Sequence, residues 1–161
     1  MTTTEMTRAR GLPPIVPILN PLMYRLLRIG VPMGPNVLLT VRGRTTGKPR
    51  TFPIALMETG GRRYVFATFG EVNWVHNLRA AGRATVRRGR NEEPVVATEL
   101  TPEEAVPVLK AAFRRYLASR AAPLLRRWYD LQADSPPEDY LREARRHAVF
   151  ELRDETRKET R

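Results

Sequence analysis

The sequence predicts an α+β fold, a small antiparallel barrel or roll with helices packed around it. Three observations carry that expectation. Short β-branched and aromatic runs recur between turn residues, in the order helix, three strands, helix, two strands, helices, last strand. At 161 residues, with 42% hydrophobic content, the chain can bury the core of one soluble domain. No strand runs into a glycine-rich turn and a long helix, and there is no P-loop, so the nucleotide folds built on those units fit poorly.

Taken in order, residues 1–10 are polar and read as a disordered N-terminus. Ile18 to Ile29 carries Leu22, Met23, Leu26, Leu27 and Ile29 at helical spacing, with Asn20-Pro21 as cap and first turn. Arg25 and Arg28 fall near the opposite face. Two readings of this helix stay open: it packs on the barrel and lines a pocket, or it lies on an anionic bilayer as an interfacial helix. Pro13, Pro14, Pro17, Pro21 and Pro32, with the two arginines, deny this region the uniformity of a transmembrane span or a secretory signal. The expected location is cytoplasmic, with a peripheral contact at the inner membrane face as the extension of the second reading.

Val37 to Val41 is an apolar run suited to a buried strand. The nine residues Arg42 to Arg50 then hold four cations, two hydroxyls and two glycines. A strand resumes over Thr51 to Leu56. Such a hairpin loop suits phosphate or carboxylate groups on a ligand. A merely solvated basic hairpin has the same composition.

Met57 to Arg62 reads as a turn, and Arg63 to Phe69 as a strand ended by Gly70. Asn73 to Ala81 reads as a short helix that Gly82 stops. Ala84 to Arg88 is a strand, Gly89 to Asn91 a turn, and Pro94 to Leu100 a strand whose proline suggests a start at an edge. Thr101, Pro102 and Glu104 give a capping box for a helix to about Ala118, with Pro107 a point where it could kink. Pro123 to Leu131 is a second helical stretch, Glu138 to Arg146 a third, and His147 to Leu152 alternates like a closing strand. Residues 11–153 are expected to form a single domain and 154–161 a charged flexible tail.

Charge narrows the partners. The net charge is +11, and between Leu38 and Arg90 eleven Lys/Arg face only Glu58 and Glu71, a local excess of +9. The basic charge therefore lies in the strand region, not in a tail, and calls for an anionic cofactor, an anionic membrane or nucleic acid. No basic strand carries alternating aromatics, so nucleic acid is not the expected partner. With no cysteine and two distant histidines, His76 and His147, no metal site is expected.

Three segments, Leu38 to Arg50, Tyr64 to Gly70 and Trp74 to Ala80, resemble in order and spacing the deazaflavin (F420)-dependent nitroreductase family. That family is a branch of the flavin/deazaflavin oxidoreductase split β-barrels. The similarity spans about residues 36–100 and returns at the strand near His147 to Leu152. Its most specific part is the GR-x-x-G-x-x-R loop followed by W-x-x-NL.

The resemblance implies an antiparallel split β-barrel of about six strands with flanking helices, like the FMN-binding barrels. It implies a reductase that uses coenzyme F420, an 8-hydroxy-5-deazaflavin with a phosphate and an oligoglutamate tail. Carried over to this chain, Arg44, Thr45, Thr46, Lys48 and Arg50 would grip the anionic tail. Pro53 and Ile54 on one side, and Ala67, Thr68, Phe69 and Gly70 on the other, would wall the ring, with backbone N–H groups polarising it. Trp74 and Asn77 match W-x-x-NL, either as ligand contacts or as a core anchor and a turn cap. The chain departs from the family before that tryptophan, where only Gly70-Glu71-Val72-Asn73 stands in place of a longer polar segment.

Hydride transfer asks little of side chains. Tyr116 and His76 are the candidate proton donors, with Tyr129 or bulk water as alternatives. The acceptor would be a small hydrophobic molecule such as a quinone, nitroaromatic or unsaturated acyl compound, bound by the later helices and the N-terminal one. Two competing readings stay open: the same barrel with FMN, or a non-enzymatic basic barrel that binds anionic lipid or nucleic acid. The oligomeric state is open, with a dimer common among such barrels.

Overall fold

A computed structural model describes residues 16–156 apart from positions 121 and 133, without the side chains at 16–18, 124 and 125. The expected disorder of residues 1–10 and most of the expected tail lie outside these residues.

The elements are α1 (Val16–Arg28), β1 (Asn36–Arg42), β2 (Pro49–Ala55), β3 (Met57–Thr59), β4 (Arg62–Phe66), α2 (Asn73–Ala81), β5 (Arg83–Arg88), β6 (Asn91–Glu99), α3 (Pro102–Leu117), α4 (Ala122–Trp128), α5 (Pro137–Arg146) and β7 (Val149–Asp154). All strand pairs are antiparallel, in one sheet of order β2-β1-β5-β6-β7-β4-β3. β2 and β4 stand far apart in that order yet touch. The sheet therefore curls on itself as a half-barrel, and the α+β split-barrel architecture is the one observed.

Strand alternation sorts side chains into two cores. Val37, Leu39 and Val41 of β1, Val65 of β4 and Phe150 and Leu152 of β7 point into the barrel, where Val75 and Leu78 of α2 close it. Tyr64 and Val149, one residue out of phase, face the other way and pack under Ala105, Leu109, Ala112 and Phe113 of α3 and Tyr140 and Ala144 of α5. The helices thus cover the outer face of β4 and β7, which would otherwise expose apolar surface.

Several boundaries differ from the sequence reading. There are seven strands, because Met57–Thr59 is a strand and not part of a turn. Only Gly60-Gly61 turns, both at positive φ (57° and 73°), the backbone that a two-residue hairpin needs. β4 ends at Phe66, so Ala67 to Gly70 form a turn, with the Gly70 N–H bonded to the Ala67 carbonyl. α1 starts before Asn20, which is therefore not its cap, and Pro21 lies inside the helix. Its missing N–H removes one bond near the helix start.

Pro94 is not at a sheet edge, because β6 lies between β5 and β7. Its carbonyl accepts from the Glu155 N–H just past the end of β7, and the reciprocal bond that an N–H at Pro94 would give is missing there. α4 stops at Trp128, and Leu131 is buried outside it. β7 starts at Val149, and His147 is the last cap of α5. The capping box of Thr101 and Glu104 is present as read.

Candidate active site

The β1–β2 loop is held by its own backbone. The Gly43 N–H donates to the Lys48 carbonyl at 2.9 Å, and the Gly47 N–H to the Gly43 carbonyl at 2.9 Å. A Cβ on Gly43 would sit 3.1 Å from the Lys48 oxygen and 3.2 Å from Thr46 Oγ1, and Gly47 has a φ of 68°. Neither position takes a side chain without moving the loop. Helix α2 anchors the loop from below. Buried Asn77 accepts at Oδ1 from the Arg44 amide (3.2 Å) and from Arg44 Nη1 (2.8 Å).

What the loop leaves free defines its chemistry. Among the described residues, the amides of Thr45 and Thr46 meet no acceptor, and no carboxylate pairs with Arg42, Arg44, Lys48 or Arg50. The basic residues elsewhere differ: Arg62, Arg63, Arg83, Arg87 and Arg88 of the strands and Arg79 of α2 all stand in ion pairs. Unpaired cations beside free N–H groups form an anion site.

A cleft of about 1150 Å³ begins at this loop. Along β2 its lining runs from Arg50 to Ala55, all of the strand but Pro49, with Phe52, Pro53 and Ile54 between. Trp74 lines it from α2, wedged between Phe52 (centroids 5.7 Å) and Phe150 (6.0 Å). Phe66, Thr68 and Phe69 line it from β4 and the turn beyond. Leu109, Ala112, Phe113 and Tyr116 of α3 complete the wall, with Leu19, Asn20 and Met23 of α1. One surface is thus cationic and rich in donors, and the rest is mostly apolar.

Of the residues singled out from the sequence, the structure brings Arg44, Thr45, Thr46, Arg50, Pro53, Ile54, Thr68, Phe69, Trp74, Asn77 and Tyr116 to one cleft. Lys48, Ala67, Gly70 and His76 do not line it. Ala67 is in the barrel core, and its N–H and that of Gly70 are occupied by the Ala148 and Ala67 carbonyls. The amides of Thr68 and Phe69 have no partner among the described residues, so donors at this turn come from them. His76 points to Glu71, 3.7 Å away.

Glu71 borders the cleft, and its carboxyl pKa is held down by hydrogen bonds from Arg79, which also grips Glu99. Burial raises the phenol pKa of Tyr116, and raises that of Tyr129 far more. Phe52 was missed by sequence reasoning, which expected the N-terminal helix and the later helices to bind the acceptor without naming which of their residues line the cleft. The spacing Leu109, Ala112, Phe113, Tyr116 is a helix face and could have pointed to the α3 wall.

A family model of the F420H(2)-dependent quinone reductases matches residues 27–123, more than half of the chain. The chain belongs to that family. The reductase is therefore an F420-dependent oxidoreductase, and F420 takes precedence over FMN as its cofactor. Its fold is similar to that of a domain-swapped dimer, with 23% identity over 83% of this chain and 95% of that one (TM-score 0.53). It is also similar to an F420-H2-dependent reductase, with 24% identity over 74% and 94% (TM-score 0.50). A protein of Listeria innocua, provisionally described as a pyridoxamine 5′-phosphate oxidase, matches at 13% identity over 76% and 86% (TM-score 0.50). At these identities the three likenesses concern the fold.

The donor set fits F420. A phosphate followed by several carboxylates needs more than one cation, and the loop offers several with no acid to neutralise them. A flat ring needs an apolar slot with a few N–H donors, which Pro53, Ile54 and the Thr68–Phe69 amides supply. Among the described residues no helix is long and apolar enough to cross a membrane, and no cluster of ligating side chains could hold a metal ion.

Proposed function

We propose that the reductase transfers a hydride from F420H2 to a flat hydrophobic acceptor, with a quinone as the first choice and nitroaromatic or unsaturated acyl compounds as alternatives. The continuous cleft carries this reading: one wall is cationic and donor-rich, and the wall built by α1 and α3 is apolar and aromatic. Reduced F420 supplies the hydride. Arg44 and Arg50, with the hydroxyls and amides of Thr45 and Thr46, hold its anionic tail, while Lys48 adds charge from outside the wall. Pro53, Ile54, Thr68 and Phe69 hold the ring; Trp74 stiffens the slot and Asn77 sets the loop. Tyr116 is the preferred proton donor, because it lines the cleft and His76 does not.

Fluorescence titration of the purified protein with F420 and with FMN tests the cofactor half. Tight F420 binding without FMN binding is expected, and binding of neither would sink the redox reading. A screen of quinones, nitroaromatics and unsaturated acyl compounds with F420H2 tests the acceptor half.

A peripheral membrane contact remains a second reading, favoured by one observation. Leu22 (55% exposed) and Ile29 (75%) present apolar surface beside exposed Arg25 and Arg28. Co-sedimentation with anionic vesicles tests it, and no binding at low salt would exclude it. A dimer is the oligomeric state proposed, and light scattering decides it.

A further inference from the structure

Behind the cleft wall lies a buried polar cluster outside the motifs of the family. Glu143 on α5 is 1% exposed and His147 at its end 7%. His147 Nε2 lies 3.3 Å from Glu143 Oε2, and His147 Nδ1 lies 2.9 Å from the Ala67 carbonyl oxygen. Both ring nitrogens therefore face acceptors. The Ala67 carbonyl can only accept, so the contact at Nδ1 selects the tautomer with its proton there. The other carboxylate oxygen of Glu143 faces Arg146 Nη1 at 3.4 Å. A buried acid partnered on both oxygens is costly to assemble and costly to break, so its place in the fold calls for a reason.

The pair touches the cleft at two points. Its partner Ala67 immediately precedes Thr68. The Tyr129 ring lies on the His147 ring, with centroids 4.2 Å apart and planes at 39°. The Tyr129 hydroxyl closes the circuit by donating to Thr68 Oγ1 at 3.5 Å, the outer limit of a hydrogen bond. Thr68 and Tyr129 both line the cleft. The circuit runs from His147 through the Ala67 carbonyl to Thr68, across to Tyr129, and back through the stacked rings. Burial keeps the Tyr129 phenol protonated far into the alkaline range, so it serves as a donor and not as an acid. Its proton directed to Thr68 leaves the Thr68 proton without an acceptor among the described residues.

We propose that Glu143, His147 and Tyr129 form a positioning unit that fixes the Thr68 turn and aims its hydroxyl into the cleft. The ligand group it serves is a carbonyl-type oxygen, on the cofactor ring or on the acceptor. Glu143 and His147 act through the turn and are positioning residues. The inference rests on the reading of the cleft as the F420 and acceptor site.

Three measurements test it. In the ligand-free wild type, ring-nitrogen NMR should show the His147 Nδ1–H present and hydrogen-bonded to the Ala67 carbonyl. A bare Nδ1 would overturn the proposal, and this readout needs no variant. Second, Tyr129→Phe keeps the ring and removes the hydroxyl, and His147→Gln removes the stack and the second contact. Each should lower kcat about tenfold, and the double variant should lose little more than either alone. Losses that multiply, or singles within about twofold of wild type, would overturn it. Third, the F420 dissociation constant and the absorbance of bound F420 separate the ligand oxygens. If both move in Tyr129→Phe the oxygen is on the cofactor, and if only kcat moves it is on the acceptor. A wild type that binds no F420 refutes the functional reading itself; a wild type that binds F420, with unaffected variants, refutes only the positioning unit.

Discussion

Asn77 Oδ1 accepts two hydrogen bonds from one residue, Arg44: one from its amide at 3.2 Å and one from Nη1 at 2.8 Å. A single side chain on α2 thereby sets both the backbone of the basic loop and the direction of its first cation. Asn77 is buried at the end of the barrel, so the loop is tied to the core and not left to solvent. Asn77→Ala removes the acceptor from both donors. F420 affinity should fall about tenfold, since one or two lost hydrogen bonds of ~1 kcal/mol each must be met by loop ordering on binding. Asn77→Asp keeps an acceptor and should stay within about threefold of wild type. Fluorescence titration reads both, and unchanged affinity in Asn77→Ala would show that the loop keeps its shape without α2.

Arg50, in β2, lines the cleft, and Lys48, two residues earlier in the loop, does not. Arg50→Ala should therefore weaken F420 binding about tenfold or more, and Lys48→Ala about threefold or less, as for a screened charge at longer range. Raising salt from about 0.05 M to about 0.5 M should weaken the wild type more than Arg50→Ala. Equal effects of the two substitutions would mean that the tail is held by charge density and not by a directed contact.

Glu71 is held ionised by Arg79, which also binds Glu99, so α2 is strapped to the end of β6. Its folded pKa lies below the ordinary value of 4.5. The stabilisation is therefore complete above that value and is lost as pH falls through the lowered one. Glu71 is half exposed, so solvent screening keeps the effect small. Glu71→Gln should lower Tm by a few degrees at pH 7, and the difference should shrink as pH falls below 4.5 and vanish once pH is below the lowered pKa. A difference that persists in acid would assign the effect to packing and not to charge.

Tyr116 is half buried on the cleft side of α3, and burial raises its phenol pKa above 10.0. It stays protonated through neutral and mildly alkaline pH. As a proton donor it should give a kcat that is flat across that range and declines only at higher pH. Tyr116→Phe should lower kcat about tenfold to a hundredfold, a common size for loss of a general acid. His76→Ala should leave kcat within about twofold, because His76 faces Glu71 away from the cleft lining. The opposite ranking would move the donor role to α2.

Much of the fold was legible because it depends on local chemistry. The Thr101–Glu104 capping box, the Gly82 stop and the Asn73 to Ala81 helix all stand where the residues predict them. The misread parts depend on partners distant in sequence. Met57–Thr59 is too short to read as a strand, and it exists because Met57 pairs with Tyr64 across two positive-φ glycines. Pro94 reads as an edge residue, but β7 lies beside its strand and the Glu155 N–H bonds to its carbonyl, a neighbour that only the sheet order supplies.

The site divides the same way. By itself the sequence determined the family and the F420 cofactor, because the GR-x-x-G-x-x-R loop and W-x-x-NL are contiguous motifs with local geometry. Only the tertiary structure decided which of the basic residues reach the cleft, that Asn77 works through Arg44, and which residues of α1 and α3 form the apolar wall. It alone set Tyr129 against His147, 61 residues from Thr68 and 80 from Ala67 respectively, beside the turn they frame. The physical reason is barrel closure: curling the sheet brings the β1–β2 loop, the turn after β4 and α3 around one space, and no local signal encodes that meeting.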